Sequence, residues 1–509
     1  MTPIDGWRWL QQSPTLRGRS VLLSPVTSER RPTASGKRSA VGLQTADRFS
    51  ICNLPSKICS RESRSLDCAN QLTTQSNATL RKAGLFYLVF VMFSYTTGGP
   101  FGLEDMVTTS GPGMTLLYLL VLPFFWCIPV SLVSAELTTA MPVEGGFYRW
   151  TRAAFGDFWG FLAGWWNWSA SFLLGGAYAV LFTDYLGYYF KMTWWEHYLI
   201  SIALIALLTW INVRGIEMVG QVATALELFI FIPVMTMIVI GLRHWRYNPF
   251  TPFVVPHQAT FKVFGVGLAL GLWLYSGYEQ LSTVAEEVEN PQRSYPRALA
   301  LVVPLSMAAY FLPTLTGLAS AGNWEKWHTG FFSDAAAAIG GAYRGHAWLG
   351  TWMTLAAMIG NVALLNSTIL TTTRMPFAMA EDGYLPHGLT RKHARYGTPW
   401  LAIVISALIY ALLAWQSLGQ LISVYIWLRS ATTVLTVLSA WKLRRTQPDL
   451  PRSFKVPGGA TGLLYVVGAP VMMAMFALLG GDRFATIGGA IAIAVGPAVY
   501  FALRRNPLT

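Results

Sequence analysis

Tyr95-Thr96-Thr97-Gly98-Gly99-Pro100-Phe101-Gly102 cuts through an apolar run that starts at Leu85 and then resumes. A second cut, Tyr275-Ser276-Gly277-Tyr278-Glu279, divides the apolar run Val263–Leu274 from its continuation to Ala285. Backbone that leaves the helix inside a bilayer loses its internal hydrogen bonds, which is tolerable only where it lines a buried cavity or holds something. Two interrupted helices in corresponding places of two halves point to the binding site of a solute carrier. The expected fold is therefore an all-α integral membrane protein.

Composition agrees. Of 509 residues, 53% are hydrophobic and 12% charged, half the charge of an ordinary soluble domain. Apolar stretches long enough to cross about 30 Å of hydrocarbon fall at 85–109, 114–139, 157–190, 195–212, 218–241, 263–285, 298–320, 347–373, 399–415, 418–441, 460–480 and 484–503. That predicts about twelve transmembrane helices, the third over-long and either tilted or exposed at one end.

The net charge of +13 raises the question of nucleic acid, and its placement answers it. Eleven Lys and Arg precede residue 81. Of those beyond, seven fall in loops on one side, among them Lys191, Lys326 and Arg483. Eighteen fall on the other, among them Arg149, Arg152, Arg293, Arg391 and Arg445. The basic side reads as cytoplasmic, which predicts a multi-pass protein of the plasma (inner) membrane with both termini cytoplasmic and no nucleic-acid partner. Cys52, Cys59 and Cys68 match no zinc spacing and Cys127 lies in a span, so no metal is expected.

Residues 1–80 are rich in Ser, Thr, Arg and Pro and carry no sustained apolar period. They read as a disordered basic cytoplasmic tail. Residues 81–505 read as one transmembrane domain: repeat one at 82–244, repeat two at 263–445 and extra helices at 460–503. Each repeat holds five spans and opens with a broken helix. Because five is odd, the second repeat enters from the opposite side, giving a 5+5 inverted repeat with discontinuous helices 1 and 6.

The two breaks differ in polarity. Gly98 and Gly99 allow backbone that other residues resist, and Pro100 removes a donor. The half-helix starting near Phe101 offers free N–H groups that suit a carboxylate. At the second break, carbonyls exposed near Tyr275 favour an ammonium. Together the ends are complementary to a zwitterion. Simple kinks, common where membrane helices carry Gly or Pro, are the plainer alternative.

Gly98-Gly99-Pro100-Phe101-Gly102-Leu103-Glu104-Asp105 resembles the first-helix motif of the amino acid–polyamine–organocation permeases, nearest to the polyamine:proton symporter and amino-acid permease branch. Ala135-Glu136-Leu137-Thr138-Thr139-Ala140-Met141-Pro142-Val143-Glu144-Gly145-Gly146-Phe147-Tyr148 resembles the second-helix exit. Ser276-Gly277-Tyr278-Glu279 with Glu286-Glu287-Val288-Glu289-Asn290-Pro291 resembles the sixth helix and its end. Arg374-Met375-Pro376-Phe377-Ala378-Met379-Ala380-Glu381-Asp382-Gly383 resembles the loop after helix eight.

The resemblance covers about 82–505. It implies alternating access, with a small amine-bearing substrate held between helices one, three, six and eight. By position it implies substrate contacts at Thr97, Gly98, Gly99, Pro100, Phe101, Gly102, Tyr275, Ser276 and Gly277, with Tyr278 and Glu279 beside them. Trp168, Tyr178, Trp273 and Tyr278 would be aromatic walls or lids, although a chain with 21 Trp has aromatics everywhere. One departure stands out. The polyamine branch carries an acid in its third helix where this chain has Leu174, while Glu104, Asp105 and Glu279 retain acidic character near the breaks.

Ionisable residues inside spans are functional candidates. Glu227 in span five is the candidate for proton coupling, near the place where relatives use a Lys or a sodium ion. Arg429 in span ten needs a buried partner, and a structural Glu–Arg pair is the competing reading. Glu286, Glu287, Arg293 and Arg297 could form an inner gate with Arg152 or Arg374.

The expected function is proton-coupled uptake of amino acids, with sodium as the other coupling ion and no cofactor. The alternatives are a polyamine or organocation:proton symporter, and a nutrient sensor that binds without transporting. An enzyme is not expected: the chain has no paired His at metal spacing, Gly-x-Ser-x-Gly elbow, phosphate loop or dinucleotide fingerprint. Membrane lipid is the other partner, and the sequence fits a monomer and a homodimer equally.

Overall fold

The computed structural model describes residues 85–97, 99–142, 145–215, 219–256, 260–278, 290–341 and 347–505. The expected tail, 1–80, lies outside them. Every regular element among the described residues is helical. Seven helices are long and apolar enough to cross a membrane by length and composition: Pro112–Ala140, Trp194–Arg214, Gln292–Ala321, Trp348–Glu381, Leu418–Thr446, Gly459–Leu479 and Arg483–Leu503. The described parts of the remaining predicted stretches also fall largely on helix, in shorter, broken or more polar form, and 279–285 lies outside the described residues.

The first predicted stretch is two helices, α1 (Leu85–Thr97) and α2 (Glu104–Ser110). Gly111, at φ +95, then turns the chain, and Pro112 opens α3 (Pro112–Leu122) where its missing N–H is harmless. A π-helical turn at Pro123–Cys127 joins α3 to α4 (Ile128–Ala140). A short α5 (Gly146–Phe155) precedes α6 (Asp157–Leu186), α7 (Trp194–Arg214) and α8 (Val219–Arg243).

The second half starts with α9 (Thr260–Leu274), α10 (Pro291–Ala321) and α11 (Phe331–Gly340). Then come α12 (Trp348–Thr372), α13 (Arg374–Glu381), α14 (Trp400–Leu413) and α15 (Leu418–Thr446), followed by α16 (Gly459–Leu479) and α17 (Arg483–Arg505). The short α5, α11 and α13 were not anticipated as helices. Two of them carry motif residues, Gly146-Phe147-Tyr148 and the stretch from Arg374 to Glu381.

The core is built around α6, which packs against α5, α7, α12, α14, α15 and α17. Small residues permit this, as helices in membranes approach closely where side chains are small. A Cβ at Gly175 would sit 2.4 Å from the Tyr410 ring. The over-long third span is α6 itself, 30 residues, with an exposed stretch at its end around 187–191.

Ion pairs gather where the chain is basic. Glu136, on α4, is 1% exposed and accepts from Arg444 Nε at 2.8 Å, Arg444 Nη2 at 2.5 Å and the Val456 N–H at 2.8 Å. Arg452 Nε lies 3.4 Å from Glu136 Oε1. The carboxylate thus pins the α15–α16 connection to α4. Arg152 bridges to Asp157 at 2.8 Å and to Asp382 at 3.0 Å. Arg149 and the Tyr148 hydroxyl reach the same Asp382 oxygen. Glu286 and Glu287 lie outside the described residues. Removing one partner of a buried pair costs about 3–5 kcal/mol, so Glu136→Ala should lower the thermal midpoint of the purified protein in detergent by several degrees; an unchanged midpoint would show that Glu136 is not a structural pin.

Candidate functional site

The first break lies where the sequence puts it, and so does the end of the helix before the second, whose expected continuation over 279–285 lies outside the described residues. α1 stops at Thr97, and Gly99 and Gly102 take φ of +99 and +89, which side chains resist. α9 stops at Leu274, and Gly277 has φ +116. The carbonyls freed at these two ends meet one hydroxyl. Tyr310 on α10 lies within bonding distance of both, at 3.0 Å from Thr96 O and 3.2 Å from Leu274 O. One turn earlier on the same face, Ser306 bonds the Thr97 hydroxyl at 2.9 Å.

The second break is also held from α3, the π-helical turn and α10. Tyr275 donates to Leu119 O at 2.7 Å, Trp126 Nε1 to Ser276 Oγ at 3.0 Å, and Tyr295 to Tyr278 O at 3.0 Å. Tyr275 and Tyr278 are each 1% exposed, and neither is among the residues that line the cavity between the breaks.

A small cavity of about 40 Å³ lies where the breaks face each other. Thr96, Thr97, Gly99 and Phe101 line it from the first break, and Trp273, Leu274, Ser276 and Gly277 from the second. Leu174, Tyr178 and Leu181 contribute from α6, Tyr310 from α10, Asn361 and Leu364 from α12, and Tyr425 from α15. None of these residues is charged, and Leu174 occupies the place where an acid was to be looked for.

Of the anticipated residues, Thr97, Gly99, Phe101, Ser276, Gly277, Tyr178 and Trp273 share this cavity. Pro100, Gly102, Tyr275, Tyr278 and Glu104 lie beside it without lining it. Trp168 is elsewhere in function: its indole N–H donates to Ser406 on α14 at 3.0 Å, making it a helix-packing residue. Gly98 and Glu279 fall outside the described residues, as does the side chain of Glu227 on α8. Arg429 is 2% exposed, one helical turn beyond the lining residue Tyr425. Tyr310, Asn361 and Tyr425 were not anticipated, since a single polar residue in an apolar span gives no local signal of the face it serves.

Glu104 is fully buried and collects three donors. Gly102 N–H reaches Oε2 at 2.7 Å and Gly330 N–H reaches Oε1 at 3.1 Å, while the Tyr185 hydroxyl also donates to Oε1. Asp105 accepts from Thr329 N–H at 2.9 Å and from its hydroxyl at 3.0 Å. Successive carboxylates thus strap the loop before α11 to α2. Phe101 meets Tyr185 edge to face, centroids 5.3 Å apart.

Beyond this layer opens a second cavity of about 940 Å³. Asp105, Asp184 and Asp334 line it with Tyr188, Trp194 and Trp415. His197 there is 2.9 Å from Asp184. No Lys or Arg is among its lining residues.

A multi-helical membrane protein with two helix breaks meeting at a buried cavity defines a permease-like class. The Amino acid permease family profile matches residues 84–499, and the chain belongs to that family, near its polyamine branch. A probable polyamine transporter of Arabidopsis thaliana is 33% identical over 402 residues, covering 77% of this chain and 78% of its own. The polyamine transporter PUT1 of Oryza sativa subsp. japonica is 31% identical over 431 residues, 84% and 79% of the two chains. The branched-chain amino acid permease BcaP of Bacillus subtilis is 24% identical over 462 residues, 85% and 95%. All three are named as transporters or permeases, none as an enzyme.

A Cβ at Gly99 would fall 2.4 Å from the Phe101 ring, so Gly99→Val should abolish solute binding while membrane insertion continues; normal affinity in that variant would refute the assignment of the cavity. Tyr310→Phe strips a donor from two buried carbonyls, which costs about 1–3 kcal/mol. Its thermal midpoint should fall and its uptake weaken, and a variant that keeps both would show that the breaks do not depend on this hydroxyl.

Proposed function

We propose that this protein is a secondary carrier that moves a small amine-bearing solute across the membrane by alternating access. The observation that carries the reading is one cavity walled by both helix breaks. The hydroxyls suit an ammonium group, as would the Thr96 and Leu274 carbonyls once Tyr310 releases them, and Tyr178 and Trp273 offer ring faces to a cation. The proposed architecture is twelve crossings in a 5+5 inverted repeat, 82–244 and 263–445, with the extra pair at 460–503. The basic tail 1–80 and both termini are placed in the cytoplasm by the charge bias, and the plasma membrane as the location rests on the same sequence argument.

The cavity is small, about 40 Å³, and we read it as a contracted form of the solute site. Its walls must part to load. Arg149, Arg152 and Tyr148 converge on Asp382 at the basic end, while the other end carries the 940 Å³ vestibule. We read this as a state shut toward the cytoplasm and sealed from the vestibule by Phe101, Tyr185 and Glu104.

Two solute classes carry the required amine. Amino acids are the first expectation of the sequence, and the likeness to BcaP supports them. Polyamines are favoured by the Arabidopsis and Oryza relatives, both more than 30% identical and both named for polyamine transport. Protons are the proposed driving ion, with Glu227 as their carrier because an ionisable residue within a span is a functional candidate; a structural pair with Arg429 is the competing reading, and sodium the alternative ion.

Purified protein in liposomes should accumulate spermidine, or a cationic or neutral amino acid, under a pH gradient. Binding without uptake of any of these would favour the sensor reading. Glu227→Gln should abolish pH-driven accumulation and leave solute exchange in place, whereas unaltered pH dependence would remove Glu227 from the coupling step.

A further inference from the structure

The first break was expected to offer its N–H groups to a carboxylate of the solute. The structure gives one of them to the protein itself. Gly102 N–H donates to Glu104 Oε2 at 2.7 Å, and the other oxygen is taken by Gly330 N–H and the Tyr185 hydroxyl. We propose that Glu104 is a specificity-determining residue: a built-in carboxylate that stands where a solute's carboxylate would go, so that the site accepts amines lacking one.

Three observations support the assignment. Glu104 is fully buried, and its two oxygens already hold the Gly102 N–H, the Gly330 N–H and the Tyr185 hydroxyl, so a solute carboxylate would find the Gly102 donor taken. Its neighbours are acidic too. Asp105 follows it on α2, and Asp184 follows Thr183 on α6, next to Tyr185; both aspartates line the vestibule through which the solute would come. The lining of the cavity itself contains no Lys or Arg that could receive a solute carboxylate instead. Gly102 carries the effect to the cavity wall, because a Cβ there would lie 2.9 Å from the Trp273 indole, itself a lining residue.

The inference rests on the carrier reading, and matched solutes separate the two. Cadaverine is lysine without its carboxylate, and agmatine is arginine without its own. In liposomes holding the full-length protein, cadaverine and agmatine should be taken up with at least about tenfold preference over lysine and arginine, the equivalent of one tenfold step in binding. Glu104→Gln keeps the shape but offers one acceptor oxygen to three donors, which frees Gly102 N–H; the preference should collapse toward parity. Glu104→Asp keeps both acceptor oxygens and should retain most of the preference.

Equal handling of lysine and cadaverine by the unaltered protein would overturn the proposal and leave the carrier reading standing. So would a Glu104→Gln variant with its preference intact, or an Asp variant that loses it as fully as Gln does. If no amine or amino acid crosses at all, the carrier reading falls and this proposal with it. Should the Gln variant not fold, the Asp variant set against the unaltered protein decides the question: a preference retained supports the proposal and a preference lost overturns it.

Discussion

One phenolic hydroxyl holds the centre of this protein together. Tyr310 reaches carbonyls at the ends of two separate helices, Thr96 of α1 and Leu274 of α9, and a hydroxyl has a single proton to offer. Two acceptors sharing it are each held weakly. Helix ends in a membrane have no water to satisfy them, so some donor must be supplied from within. Placing it on α10, with Ser306 one turn away on Thr97, fixes the two breaks relative to each other at modest strength. A site that must change shape during transport needs ends that are satisfied and still separable.

The breaks are fastened differently on their other sides. Glu104 and Asp105 bind the loop before α11 through the Gly330 N–H and both donors of Thr329. The second break instead hangs from bonds to Leu119, Trp126 and Tyr295. The first break is therefore the one anchored toward the vestibule. Phe101, lodged against Tyr185, shares that anchor.

Much of this was legible in the chain. Gly99-Pro100 and Ser276-Gly277 announce the breaks because Gly and Pro act through local backbone, which a sequence displays directly. Tyr310 was invisible for the opposite reason: its role depends on which helix α10 packs against, and one tyrosine in an apolar span carries no period to reveal it. Trp168 shows the converse error. An aromatic at a plausible position on α6 was expected to wall the cavity, yet its N–H is committed to Ser406, a partner 238 residues away that no local pattern discloses. Glu104 was recognised as acidic and near the break, but its use as a cap on Gly102 appears only once the loop at Gly330 is folded against it.

The distribution of charge also constrains how a cation could pass. The carboxylates line the vestibule or stand behind its floor, and the cavity below is neutral. On the proposed reading, the acids raise the local concentration of a cationic solute, and the neutral cavity then holds it by carbonyls, hydroxyls and ring faces. Carboxylates in the cavity wall would bind a polyamine more tightly, but a transport site must also let go. Leu174 in place of an acid fits that requirement. It moves the strongest attraction out of the cavity, where the solute has to be released, and into the vestibule, where it has only to be gathered.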